Sequence, residues 1–349
     1  MPLGQSLGLP FRRSRAGALI QYLLDQYPGA AAAFALFKLR GDYADSLIRV
    51  RRSFPTITGD TSVGSNVITN VSSTANCQNG MRINGSGIPT DSTIVSFTAN
   101  TITISANATA PGAGTVITLG NDVLDVGLSG DDLDTASLLA FCGAGDGSVT
   151  EWYRQSTADA TNLTQTNATL QPRIVIAGVL QTSNGLPAIK HDATHYLTMT
   201  GFVARPSTAT IFDVLDYSGG RAFLGPTPIS NVYFGNIFPT DTGTTTLQSN
   251  SGATGDYYAN GELIAQNGVD SRDDLAAGLL AAASPQLISV VDGVDLSDSE
   301  YANYRTEYDL SAAVDAFPSR QLIVIYPQAS IPCTAGEAFI ANKFGITLS

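Results

Sequence analysis

Between Ser148 and Pro327 the chain is a succession of short runs rich in Val, Ile, Thr, Tyr and Phe, each stopped by Gly, Pro, Asn, Asp or Ser before it reaches helical length. "PRIVIAGVL", "HYLTMTG", "TATIFDVLDY", "NVYFGNI", "DYYANGELIAQ", "PQLISVVDG" and "RQLIVIYP" follow one another with no helical pattern between them. Strands at regular spacing without crossover helices exclude a doubly wound α/β sheet and predict a two-sheet sandwich. The 34 glycines and a charged fraction of only 14% belong to the same all-β class.

The first part of the chain adds a few other elements. "YPGAAAAFALFKLRGDY" places Ala and Leu between a Pro-Gly turn and Gly41, which predicts a helix over about 30–40. "DSLIRVRRSF" alternates apolar residues with arginines and predicts a strand with one wet face. Residues 57–119 change texture: five short strand patterns separated by Asn, Gly, Pro and Ser, with Arg82 and Asp91 as the charged pair of note. That stretch is expected to form a small β module inserted into the sandwich. "DDLDTASLLAFCGAGDG" predicts a short helix capped by Asp134, and "CTAGEAFIANKFGI" a terminal helix with Phe339, Ile340 and Phe344 on its apolar side.

The net charge of −12 is unevenly spread. Residues 1–55 hold eight Lys or Arg against three Asp, leaving +5 there and −17 for the remainder. Arg40, Arg49, Arg51 and Arg52 fall where they can meet the chain's own carboxylates. Residues 1–13, "MPLGQSLGLPFRR", are apolar but too rich in Gly and Pro for a helix, and are expected to be an anchoring arm, with Phe11, Arg12, Arg13 and Arg15 as its contacts to an acidic partner. No apolar run approaches the roughly 20 residues that span a bilayer, so a soluble chain without membrane insertion is expected. Cys77, Cys142 and Cys333 are too far apart in sequence for a metal knuckle and are expected to be free thiols.

Chemistry-bearing motifs are sparse. His191 and His195, both histidines of the chain, flank the turn of "KHDATHY". Spacing of four faces one metal ion on a helix but not across a hairpin, where Asp192 would be the nearest third ligand, so a structural turn is expected and no metal. Glu151, Glu262, Glu300, Glu307 and Glu337 are scattered instead of forming the compact carboxylate strand of a glucanase, and no catalytic residue is assigned. Asp131-Asp132 and Asp273-Asp274 are the calcium-capable pairs, though no cofactor is expected from them. "DYSGGRAFLG" and "SNVYFGN" carry Tyr217, Arg221, Tyr233 and Asn236 in Gly-rich loops of the kind that bind sugars at a sandwich rim. The alternative reading of those tyrosines is cross-strand packing.

Three resemblances bear on function. "GLPAIKHDATHYLTMTG" and "DYYANGELIAQ" resemble two hairpins of concanavalin A-like lectin/glucanase (LamG-type) domains, which implies a jelly-roll sandwich. The opening, "YPGAAAAFALFKLR" with "DLDTASLLAFCGAGDGSVTEWYRQS", is similar to that of arabinofuranosidase-type catalytic sandwiches and of related tailed-phage structural proteins. It departs from the enzyme-like "WYDQSG" pattern where Arg154 replaces the acid. "GMRINGSGIPTDSTIVSFTANTITISANAT" resembles a small β unit of phage structural and tail-associated proteins. Together they imply a mainly β, concanavalin A-like jelly-roll sandwich formed by 14–56 and 120–349, with a few short helices, the anchoring arm 1–13 and the inserted module 57–119. The implied function is a tailed-phage virion component, such as a tail fibre, baseplate or capsid-surface protein. It would be assembled in the host cytoplasm as a homo-oligomer among other virion proteins, with a host cell-surface glycan as a further partner and no nucleic acid. An arabinofuranosidase-like glycoside hydrolase and a free bacterial carbohydrate-binding protein are the alternatives.

Overall fold

A computed structural model describes residues 22–158, 161–191, 195–204, 206–216, 225–226, 256–266, 270, 274, 277–278, 281–282, 284–294, 303–305, 319–327 and 333–349. The proposed arm, the loop residues Tyr217, Arg221, Tyr233 and Asn236, the turn Asp192 to Thr194, and Asp273, Glu300 and Glu307 lie outside these described residues.

The protein is a β-sandwich with few short helices. Its main strands are β1 (Ala32–Ala35), β2 (Ile48–Ser53), β3 (Ile57–Thr61), β4 (Val67–Ile68), β5 (Ile83–Gly85), β6 (Ile94–Phe97), β7 (Ile102–Ile104), β8 (Gly112–Val126), β9 (Asp146–Trp152), β10 (Leu163–Thr164), β11 (Arg173–Ile176) and β12 (Ile189–Lys190). They continue with β13 (Thr198–Thr200), β14 (Ala209–Asp216), β15 (Asp256–Ala259), β16 (Glu262–Ala265), β17 (Gln286–Val294), β18 (Asn303–Arg305) and β19 (Ser319–Pro327). The α-helices with described bounds are α1 (Leu23–Gln26), α2 (Thr135–Cys142) and α3 (Cys333–Phe344); residues 274, 277, 278 and 281, between β16 and β17, are also helical.

The first sheet runs β8, β2, β9, β10, β13, β18, all antiparallel neighbours, with β11 beside the start of β9. The second runs β1, β19, β14, β17, β15, β16. Strand β12 pairs with both β11 and β19 and so joins the sheets at one end. Alternation on β14 sorts the packing. Ile211 and Leu215 enter the core between the sheets with Val50, Val149, Trp152, Leu163 and Met199. Phe212 and Val214 point the other way, into a second core sealed by Leu23 and Leu24 of α1 and by Ile340, Ala341 and Phe344 of α3. The layers are therefore sheet, sheet, helix, and the outer face of the first sheet carries the wet positions of β2, Arg49 and Arg51.

Residues 30–40 form no helix. Ala32 to Ala35 are β1, in register with Ile325 to Leu322 of β19. Helix propensity favours Ala by less than about 1 kcal/mol per residue, which burial of a strand on both faces readily exceeds. Ala32 and Phe34 enter one core, Ala33 and Ala35 the other. A strand covered on both sides shows no period of two, so its pattern is indistinguishable from a buried helix. Side chains of "WYRQS" fix its end: Trp152 Nε1 donates to the Ala35 carbonyl at 3.3 Å, while Gln155 accepts from Leu39 N–H at 2.7 Å and donates to the Phe37 carbonyl at 2.8 Å. The other expected helices form: α2 has Asp134 as its cap, accepting from Ser137 N–H at 3.0 Å, and α3 buries Ile340 and Phe344.

Strands β3 to β7 and the first half of β8 close on themselves. Pairing runs β3–β8, β8–β5, β6–β7 and β7–β4. The gaps are bridged by Arg82↔Thr93 between the start of β5 and β6, and by Asp60↔Thr69 between β3 and β4. The result is a six-stranded barrel around Ile57, Ile68, Ile83, Ile94, Ile102, Ile104 and Ile117. Ring closure satisfies strand edges that an open sheet would expose, which lets so small a unit hold its own core. Sequence reading finds five of the strands and misses β3.

Strand β8 is continuous across the boundary. Its residues 112–119 belong to the barrel, and from Gly120 onward it pairs with β2 of the sandwich. Ser53 and Gly120 are register partners, so the chain leaves and re-enters the sandwich at adjacent positions. Gly120 has φ +87°, and a Cβ there would meet the Arg52 carbonyl oxygen at 3.0 Å. Arg52 fastens the joint: Nη2 meets Asp122 Oδ2 at 2.7 Å, Nη1 reaches Gln78 Oε1 at 3.1 Å and the Phe141 carbonyl at 3.2 Å, and the guanidinium lies 4.8 Å from the Phe141 ring centre. Barrel, α2 and β8 thus share one side chain.

Two outcomes are expected. Arg52→Ala lowers stability by about 2–3 kcal/mol by chemical denaturation, because Asp122 keeps only the longer contact to Arg82 while Gln78 and the Phe141 carbonyl lose their donor, and Arg52→Lys recovers less than half of that since an ammonium lacks the fork. Excising 57–119 with a short Gly-Ser bridge leaves a sandwich that unfolds in one cooperative transition; its loss would contradict the proposed insertion.

Candidate functional site

The outer face of the first sheet concentrates the chain's fixed charges. Direct cross-strand partners place Asp125 (β8), Arg49 (β2), Glu151 (β9), Thr164 (β10) and Thr198 (β13) in one row. Arg49 grips Asp125 with two bonds, Nε to Oδ1 at 2.7 Å and Nη2 to Oδ2 at 2.9 Å, and its Nη1 lies 3.3 Å from Glu151 Oε2. The Tyr153 hydroxyl donates to Asp125 Oδ1 at 2.7 Å, and Asn162 Nδ2 donates to Glu151 Oε1 at 2.7 Å. The Arg49 guanidinium also lies 5.9 Å from the Tyr153 ring centre.

A second row runs alongside through Val123, Arg51, Ser148, Arg173 and Lys190. Arg51 donates to Gln171 Oε1 at 2.8 Å, to Asn121 Oδ1 at 3.1 Å and to the Ala168 carbonyl at 3.2 Å. Arg173 lies 3.6 Å from Asp146. A β-bulge between Val149 and Glu151 carries β9 past β2 while keeping Ser148 and Glu151 on the same face.

The acid of a glycosidase is a carboxyl held protonated near neutrality, and Asp125 is shifted the other way. The hydrogen bond from Arg49 holds Asp125 below the ordinary carboxylate range, against the opposing effect of its partial burial. Burial, and then the bond to Asp125, push the Tyr153 hydroxyl above its ordinary range. Asp125 and Glu151 flank a single guanidinium, that of Arg49. Arg154, standing where the enzyme-like pattern has an acid, donates to the Ser156 carbonyl at 2.6 Å.

The remaining candidates are dispersed. Glu262 is exposed after the Asn260-Gly261 turn of "DYYANGELIAQ", whose residues adopt the positive φ, 52° and 85°, of a tight hairpin turn. Glu337 is buried on α3. His191 is fully buried with Nδ1 3.2 Å from the Ile189 carbonyl, and His195 precedes β13. Among the described residues no group of three or more His, Cys, Asp or Glu is placed to hold a metal ion. Asp131 accepts from the Tyr22 hydroxyl at 2.9 Å whereas Asp132 holds Lys343 at 2.6 Å, so that acidic pair turns to separate partners. Cys77, Cys142 and Cys333 form no disulfide, and burial pushes the Cys142 thiol up to about 11. Of the basic residues in the first 55, Arg40 pairs with Asp42, Arg49 with Asp125 and Arg52 with Asp122. Sequence alternation marks Arg49 and Arg51 as outward-facing. Asp125, Tyr153 and Asn162 join them only through pairings that carry no local signal.

The sequence matches no protein-family profile and no curated protein. It is similar to a solved structure described as a GH54 α-L-arabinofuranosidase soaked with a cyclic sulfate inhibitor, at 12% identity and a TM-score of 0.44. The similarity covers 90% of this chain and 63% of that one.

Asp125 has a folded-state pKa below its unfolded value, so its contribution to stability is complete above the ordinary carboxylate range and is lost as pH falls through the depressed value. Acid unfolding of Asp125→Asn is therefore expected to be shallower than that of wild type. Equal acid limbs in the two proteins would show that Arg49 does not hold the carboxylate.

Proposed function

We propose that this chain is a non-catalytic structural protein of a tailed-phage virion, a tail fibre, baseplate or capsid-surface component. In this reading a lectin-like sandwich carries the barrel of residues 57–119 as a contact or adhesion head. The observation that carries the display role is β8, which passes without interruption from barrel to sandwich and is fastened by Arg52. A unit held in fixed orientation transmits contact geometry to its base, which a tethered unit cannot do. The barrel bears few charges and exposes Val63, Val95, Phe97 and Val116, chemistry suited to contact with another protein surface. The virion assignment itself rests on the resemblances of the opening and of the barrel sequence.

Within this proposal the arm 1–13 anchors the chain through Phe11, Arg12, Arg13 and Arg15, and the loops bearing Tyr217, Arg221, Tyr233 and Asn236 meet a host glycan. The neutralised carboxylates of the first sheet favour this reading over a glycosidase built on the same class of sandwich.

The test is a reconstruction of purified particles containing the wild-type chain or one lacking residues 2–15. Density for the wild-type chain at a symmetric particle site, lost in the truncated form, is expected; equal occupancy of both would place the anchor elsewhere. In parallel, Glu151→Gln is expected to leave particle infectivity unchanged. Release of a sugar from host polysaccharide by wild type, abolished in Glu151→Gln, would overturn the non-catalytic reading.

A further inference from the structure

Helix α3 closes the second core, yet the face it lays on the sheet includes a carboxyl. Glu337 is 4% exposed and shares that face with Gly336, Ile340, Ala341 and Phe344. Opposite it on β17 is Ser289, 0% exposed. One turn earlier on α3, Cys333 lies at the i,i+4 spacing that brings side chains together. Among the described residues, neither Glu337 Oε1 nor Ser289 Oγ makes a hydrogen bond of standard geometry, although the hydroxyl is close enough to act on the carboxyl.

The other titratable groups around α3 are committed elsewhere. Asp25 of α1 accepts from Gly41 N–H at 3.0 Å, the Tyr326 hydroxyl on β19 donates to the Tyr27 carbonyl at 2.8 Å, and Lys343 on α3 holds Asp132. Asp213 on β14 is bonded to Arg320 at 2.9 Å on the opposite side of the sheet. No described cation faces Glu337, so an ionised carboxylate there would be buried against a hydroxyl, a thiol and hydrocarbon.

We propose that α3 is a pH-sensitive latch: it docks on the second sheet with Glu337 as the neutral acid, and loss of that proton to solvent releases the helix. Release uncovers the apolar row of Phe212, Leu287, Leu322 and Val324. The direction follows from the competing influences on the carboxyl. Burial raises its pKa and outweighs the Ser289 hydroxyl and Cys333 thiol, which favour the charged form. A carboxyl whose docked pKa lies above its free value favours docking fully at low pH and progressively less as pH rises through the docked value.

The experiment is amide hydrogen exchange of α3 in the full chain, corrected for the intrinsic pH dependence of exchange, from about pH 5 to about pH 9. Protection of α3 in wild type is expected to fall at least about tenfold across that range relative to α2, while Glu337→Gln, which cannot ionise, falls less than about threefold. Ser289→Ala removes a group that favours the charged form, and moves the wild-type transition to higher pH. Constant wild-type protection, an equal fall in Glu337→Gln, or an unmoved transition in Ser289→Ala would each overturn the latch.

Discussion

Everything distinctive about this molecule depends on a strand that does not end where one core ends. Over its 15 residues β8 is a wall of the isoleucine-lined barrel and then the edge partner of β2 in the sandwich. The changeover requires a residue able to take a positive φ under the Arg52 carbonyl, which Gly120 supplies. Arg52 then bonds to groups on both sides of the junction. A buried guanidinium with several fixed acceptors loses much when any one moves, so the joint resists bending more than the covalent connection alone would.

The same economy governs the rest of the polar chemistry. Among the described residues several carboxylates are held by a basic group: Asp125 and Glu151 by Arg49, Asp122 by Arg52, Asp213 by Arg320, Asp132 by Lys343. Such arrangements favour register and orientation. At Asp125 the bond from Arg49 also holds the carboxyl below its ordinary range, whereas at Asp213 burial outweighs Arg320 and raises it. Glu337 departs from the pattern: it lies on the buried face of α3 with no described cation against it, and burial raises its pKa.

Much of this architecture is legible in the amino-acid sequence. Alternation in "DSLIRVRRSF" gives β2 and its wet face, Asp134 gives the start of α2, and Asn260-Gly261 gives the tight turn between β15 and β16. The misreading of Ala32 to Ala35 has a physical cause: a strand buried on both faces loses the alternation that identifies it, and alanine then reads as helix. Barrel closure lies beyond local pattern, since it depends on two isolated bridges, Arg82↔Thr93 and Asp60↔Thr69. The charged row on the first sheet is half visible. Its arginines announce themselves by period, but their partners stand far away in sequence, as with Arg51 and Gln171, 120 positions apart.

The central claim, that barrel and sandwich move as one body, is tested most directly by backbone ¹⁵N relaxation of the full chain. Amides of β3 to β7 and those of β14 and β19 are predicted to fit one rotational diffusion tensor with a common correlation time. A distinctly shorter correlation time for the barrel amides would mean that the unit swings on its connection, and would contradict the account.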